Sequence, residues 1–280
     1  MHSTPSSTLD RHAQAASQLP AMPEVAQRLL QSFERDDLSL STVAGLIGKD
    51  PSLSAKVLRL ANSARYSPTR TVSSLGDAAA GLGLRTLRDL TLSACFSGAF
   101  PDVRGFDRLA FWRGNMALAV YAQTLARPLG VDEDAAYIAG LTLRTGQILM
   151  LMVDADLALQ AQARATAVDS RMAIEESMIG VSHPRLSAGL ASAWRFPTDL
   201  VTAFEAAADP LAAKPFSRLG ACLRLASVVT DARELGLDAA ACLLEAQGPL
   251  IEHLQLDLSW VTAHLPAHSL ATAGVEALLH

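Results

Sequence analysis

Along almost the whole of this chain, apolar residues return every third or fourth position, and they alternate with polar ones over no more than a few residues. The first pattern gives a helix one buried stripe, whereas a half-buried strand needs the second. Val25, Leu29, Leu30 and Phe33 form one stripe, Leu40, Val43, Ala44 and Ile47 another, and Leu53, Val57, Leu60 and Ala64 a third. Start and stop signals fall between them. Pro23 suits a first helical position, Asp36-Asp37-Leu38 ends that helix, Ser39 and Asp50 suit N-caps, and Pro51 follows at the N1 position. Leu and Ala dominate and only 5% of the residues are aromatic, which agrees with an all-α fold.

The same signals divide the rest. Ser73 or Ser74 caps a helix that ends near Gly81-Leu82-Gly83, and another follows over about 84–96. Residues 98–107 hold Pro101, Gly105 and mixed charges, the best boundary in the chain. Helices are predicted near 108–126, 133–153, 155–167, 171–179, 184–194 and 198–207, then from Phe216 with stops at Gly236 and Gly248-Pro249. The expected organisation is a flexible leader over 1–18, a helical lobe over 19–107, a second lobe over 108–230, and C-terminal helices over 231–280 packing on that second lobe.

Half of the 280 residues are hydrophobic, enough to bury a large core. The net charge of −5 is uneven: residues 1–110 hold 12 Lys and Arg against 10 Asp and Glu, and residues 111–280 hold 11 against 18. Neither part has the basic excess of a dedicated nucleic-acid binder, so nucleic acid is not the expected partner. Cys95, Cys222 and Cys242 form no CxxC pair and sit in apolar helical contexts. Reduced, buried thiols and a cytoplasmic location are expected. The first eight residues lack the apolar core of a signal peptide, and no uninterrupted apolar run approaches a membrane span, so no membrane contact is expected.

Sites of chemistry are scarce. His183, in Gly180-Val-Ser-His-Pro184, has no second His at i+3 or i+4, and a structural role fits it better than metal binding. His264 and His268 have the spacing of a zinc pair, but Pro266 between them spoils the helix. No Gly-x-Ser-x-Gly elbow occurs, and Gly81-Leu-Gly-Leu-Arg-Thr-Leu-Arg88 lacks the strand and the Gly-Lys-Ser/Thr of a phosphate loop. Lys49, Lys56, Arg59, Arg65, Arg70, Arg85 and Arg88 cluster, with Tyr66 beside Arg65. They read as a solvated helix face or as a phosphate- or nucleotide-facing surface.

One series of segments carries a resemblance. Leu19-Pro-Ala-Met-Pro-Glu-Val25, Ile47-Gly-Lys-Asp-Pro-Ser-Leu53, Leu58-Arg-Leu-Ala-Asn-Ser-Ala64, Val72-Ser-Ser-Leu75 and Leu82-Gly-Leu-Arg-Thr-Leu87 occur in order, followed by Phe111-Trp-Arg113, Gly180-Val-Ser-His183 and Trp194-Arg-Phe-Pro197. The series resembles the HDOD family, bacterial signalling domains related to HD-type metal phosphohydrolases, over most of residues 19–230. The resemblance implies a multi-helical HD-like fold of two packed lobes.

In HD hydrolases a His, a His-Asp pair and a later Asp hold metal ions that generate a hydroxide and stabilise phosphoryl charge. By the resemblance, those positions are Gly114, Leu143-Arg144 and Ser227, with His183 standing alone where many relatives also have a His. Gly114 and Leu143 have no donor atom, Ser227 is a poor neutral ligand, and the permanent charge of Arg144 repels a divalent cation. Arg144 is expected to fill the metal's space, pairing with an acid or binding an anion.

The resemblance thus implies a non-catalytic regulatory module without cofactor or metal, binding a partner or a nucleotide second messenger. Receiver, diguanylate cyclase or phosphodiesterase proteins of two-component and related systems would act on it in trans. Lys56, Arg59, Asn62, Ser63, Arg65 and Arg70 are the expected contact surface. Two other readings stay open: a residual metal-dependent nucleotide or cyclic-dinucleotide phosphohydrolase, and a nucleic-acid or anionic-ligand binder using the basic first lobe.

Overall fold

A computed structural model describes residues 8–19, 22–31, 39–66, 71–101, 103 and 105–279. Among them no strand occurs. The first helices are Thr8–Ser17 (α1), Glu24–Gln31 (α2), Leu40–Ile47 (α3), Pro51–Ala61 (α4) and Leu75–Ala99 (α5). Next come Arg108–Leu129 (α6), Glu133–Thr142 (α7), Gly146–Val153 (α8), Ala155–Arg164 (α9), Arg171–Ile179 (α10), His183–Ala193 (α11), Thr198–Ala207 (α12) and Arg218–Glu234 (α13). Ala239–Leu254 (α14), Leu258–His264 (α15), His268–Ala271 (α16) and Glu276–Leu279 (α17) complete the chain.

Capping chemistry sets the starts. Ser39 accepts from the N–H of Thr42, Asp50 from Ser52 and Leu53, and Ser74 from Asp77. Each side chain satisfies N–H groups that the first turn leaves without partners. Gly83 (φ 80°, ψ 170°) breaks α5 into two helical pieces, at the place where the sequence puts a stop. An L-residue would meet steric cost at that φ. The third stripe differs slightly from expectation: Ala61 is buried instead of Ala64, which lies past the helix end. Phe33 and Asp36 to Leu38 lie outside the described residues.

The two lobes share one core. Phe96 and Phe100 at the end of α5 meet Trp194 at ring-centroid distances of 6.2 and 5.6 Å, and Phe100 also meets Trp112 of α6 at 6.1 Å. α6 lies between α7 and α13 and buries Trp112, Met116, Tyr121 and Leu125 completely. The Glu133–Val153 stretch, though interrupted by Arg144, is by length and composition apolar enough to cross a membrane, but 83% of its most apolar window is buried inside the protein. Cys95 and Cys222 are buried free thiols, as expected, and Cys242 is partly exposed.

Two parts of the expected organisation need correction. The sequence predicts a flexible leader over residues 1–18, but residues 8–17 form a helix, α1, which packs on α8 and α11 and buries His12 and Ala15. His12 Nδ1 lies 2.6 Å from the carbonyl of Thr8, so this polar residue folds back on its own helix. Residues 231–280 do not pack on the second lobe alone. Their last helix, α17, rests on α4 and α5 of the first lobe, and a Cβ on Gly274 would lie 2.6 Å from Ser63 Cβ.

Candidate functional site

α7 ends in a 3-10 turn, Leu143–Thr145, before α8 begins. Two contacts hold the turn against α11, and a third closes it on itself. Ser187 Oγ donates to the carbonyl of Leu143 at 2.6 Å and accepts the Gly146 N–H at 2.8 Å, while Thr145 Oγ1 donates to Thr142 at 2.7 Å. Gly146 is required by this approach, since an added Cβ would collide with the His183 carbonyl and lie 2.9 Å from Leu186 Cβ. The turn buries Leu143 in the core and directs Arg144 into a cavity of about 360 Å³.

Arg144, His183 and Ser227 line that cavity together. Gly114 adjoins it, because a Cβ there would lie 2.9 Å from both Arg144 Nη1 and Glu234 Oε1. Four of the five expected positions therefore converge, and Leu143 stays behind in the core. Arg144 Nη2 donates to Asp231 Oδ1 at 2.8 Å, and Nη1 lies 3.7 Å from Glu234 Oε1. Burial works against the guanidinium charge, but Glu234 and Asp231 outweigh it and raise the pKa above its usual value. Arg144 is thus a permanent cation between two carboxylates.

A second layer fixes the acids. Asp231 Oδ2 accepts the Asp169 N–H at 3.2 Å, and Asp169 Oδ2 accepts from Arg224 at 2.9 Å and from Gln247 at 2.6 Å. Burial holds the Asp169 carboxyl above the ordinary range, against the pull of Arg224. On the other wall, Glu175 accepts from the His183 N–H at 2.8 Å, from His183 Nδ1 at 2.6 Å and from Arg171 Nε at 3.0 Å. Burial alone would raise the Glu175 carboxyl, but His183 and Arg171 outweigh it and hold it below its ordinary range. An ionised carboxylate can only accept, so Nδ1 carries the imidazole proton shared with it. His183 Nε2 and Ser227 Oγ are buried and have no partner among the described residues.

Asp231, Glu234, Asp169, Glu175, Arg171 and Arg224 were absent from the sequence reading. Ser227, Asp231 and Glu234 stand at i, i+4 and i+7 of α13, a polar stripe on an otherwise buried helix that the pattern could have revealed. Among the described residues, no three His, Cys, Asp or Glu side chains are grouped to hold a metal ion. His264 and His268 fall on separate helices, stacking on Trp260 and Tyr121 respectively.

The expected contact surface does not hold together. Lys56 is half-buried, with its ammonium lowered by burial and by Arg108 and Arg59, whereas Arg59 is exposed on α4. The Asn62 side chain clasps the loop, donating to the carbonyls of Leu58 and Val72 at 2.8 Å and accepting the Val72 N–H at 2.7 Å. Ser63 lies under the Gly274 segment. Arg65 turns to a different cavity, its guanidinium carbon 5.3 Å from the Tyr66 ring centroid. Arg70 lies outside the described residues.

Residues 19–210 match the family model described as the HDOD domain. A Shewanella amazonensis structure named as a candidate phosphohydrolase aligns over 96% of this chain and 98% of its own, with a TM-score of 0.77 and 28% identity. An HDOD domain protein of unknown function from Geobacter sulfurreducens aligns over 92% and 93%, with a TM-score of 0.75 and 23% identity, a likeness of fold. An uncharacterised protein of Treponema pallidum (strain Nichols) is 25% identical over 195 residues. That alignment takes in 68% of this chain but only 38% of the Treponema protein, so the chain spans under two fifths of that relative's length.

Proposed function

The chain belongs to the HDOD family, and from that premise we propose that it is a non-catalytic regulatory module, acting in signal transduction by binding a partner protein or a signalling ligand. One observation carries this reading. At the position that the resemblance assigns to the metal of HD hydrolases stands the Arg144 guanidinium, paired to Asp231 and closed in by Gly114 and Glu234. A divalent ion there would have to displace a fixed positive charge and strip that charge of its carboxylates. The Shewanella relative's name suggests phosphoryl hydrolysis, but the side chains at 114, 143, 144 and 227 of this chain argue against that chemistry.

The partner in this reading is a signalling protein of receiver, diguanylate cyclase or phosphodiesterase type, acting in trans, with exposed Arg59 on α4 available to it. Elemental analysis of the purified chain, with turnover assays on a generic phosphodiester in Mn²⁺ and Mg²⁺, tests the non-catalytic part. Substoichiometric metal and no metal-dependent turnover are expected. Stoichiometric metal with turnover abolished in His183→Ala would overturn the reading.

A further inference from the structure

A second cavity, of about 370 Å³, shares no lining residue with the first. It lies among α5, α6, α15 and the segment after α4, and Asp89 of α5 is among its lining residues. Asp89 is 4% exposed. Its Oδ2 accepts from Gln123 of α6 at 3.2 Å, while Oδ1 is buried with no hydrogen-bond partner among the described residues. A buried carboxylate oxygen without a donor is costly, and native structures rarely leave one so.

The neighbouring cations divide into two groups. Arg85 is engaged by Glu133 at 2.8 Å and Asp134 at 3.0 Å, and Arg88 is engaged by Asp134. Arg65 and Arg127, which also line the cavity, form no ion pair within 4 Å among the described residues. On the remaining wall, Trp260 and His264 stack with ring centroids 4.0 Å apart and planes 11° apart, giving a flat aromatic surface.

A ligand for this cavity must offer N–H donors to a carboxylate, a flat ring and an anion. Guanine places its N1–H and 2-amino donors side by side, a pairing that matches the two oxygens of a carboxylate. Adenine sets an acceptor beside its amino group on the same edge, and that acceptor would face the carboxylate's lone pairs. Guanidinium groups are the usual partners of phosphate, and aromatic rings stack on bases. The volume is in the range of small-ligand sites. We propose that this cavity binds a guanine nucleotide, with Asp89 taking the N1–H and 2-amino donors, Arg65 and Arg127 the phosphate, and the outer face of the Trp260–His264 stack lying against the base. The proposal names a ligand for the regulatory reading, yet the binding is independent of the Arg144 site. Metal content and turnover test one, and nucleotide affinity tests the other.

Titration calorimetry of the full chain with GMP, GTP, AMP and inorganic phosphate decides the matter. GMP and GTP are expected to saturate one site per chain, with AMP and phosphate weaker by about tenfold or more. Asp89→Asn keeps the side chain's shape and should weaken GMP by about tenfold or more, because one acceptor oxygen becomes a donor. Arg127→Gln, at an exposed position, should weaken GMP more than guanosine. Thermal melts establish that both variants fold, and Arg127→Gln still reports if Asp89→Asn does not. Absence of saturable GMP and GTP binding, AMP binding as tight as GMP, phosphate alone reproducing the GMP affinity, or unchanged GMP affinity in the folded variants would overturn the proposal.

Discussion

Arg144 Nη2 meets Asp231 Oδ1 at 2.8 Å, joining the turn after α7 to the last turn of α13 at one wall of the first cavity. Their side chains are 15% and 21% exposed, so water screens the pair only in part. Removing Arg144 leaves Asp231 and Glu234 facing each other without a counter-charge. Arg144→Leu is therefore expected to cost about 2–3 kcal/mol, below the 3–5 kcal/mol of a fully buried pair. In a denaturant double-mutant cycle with Asp231→Asn, the two losses should fail to add by about 1 kcal/mol or more. Strict additivity would mean that the contact contributes nothing.

The charge of Arg144 also carries a prediction about what else the cavity can hold. Supplying donors elsewhere should not restore a metal while its guanidinium remains. The double substitution Gly114→His with Ser227→Asp is expected to bind Mn²⁺ no better than the wild type in a titration. A His at 114 must also push aside Arg144 Nη1 and Glu234 Oε1, each 2.9 Å from the Cβ it would introduce. Tight Mn²⁺ binding by that variant would refute the claim that the charge of Arg144 excludes cations.

Two glycines of neighbouring elements should respond to alanine with opposite sign. At Gly146 the new methyl meets the His183 backbone, which cannot move without disturbing the start of α11. A loss of about 1–3 kcal/mol is expected there. At Gly189, exposed inside α11, the methyl meets nothing within 4 Å, and lower backbone entropy in the unfolded chain should stabilise by about 0.5–1 kcal/mol. Urea melts of both variants read the signs directly, and a stabilised Gly146→Ala would disprove the close approach that sets the Arg144 turn.

How much of this was legible in the sequence follows from the range of each interaction. Helices announced themselves because caps such as Ser39, Asp50 and Ser74 act within three residues of their targets. The positions 114, 144, 183 and 227 were found through the resemblance, although they converge from four separate elements. Asp169 was invisible, since its partners Arg224 and Gln247 lie 55 and 78 residues away, and no local pattern encodes such distances. The helix of residues 8–17 was missed because its stripe is short and Ala-based, and its order comes from α8 and α11. The basic cluster misled because linear proximity does not fix direction. Asn62 turns to its own loop, and Arg65 turns to the second cavity.

Asp89 gives a pH dependence with a definite sign. Burial pushes its carboxyl up to about 7, and Gln123, Arg88, Arg85 and Arg65 only partly oppose this. In the unfolded chain the group has an ordinary carboxylate pKa, so between that value and about 7 the folded state holds more protons. Its contribution to stability is therefore fully present at acid pH, falls as pH rises through this window, and levels off above about 7. The full change is on the order of 4 kcal/mol. Asn at 89 cannot ionise, so Asp89→Asn should match the wild type near about pH 4 and exceed it above about pH 8, by up to that amount. Denaturant melts of both proteins across this range provide the check. Parallel pH profiles would show that Asp89 is ionised without penalty, and that its unpartnered oxygen is solvated in the apo protein.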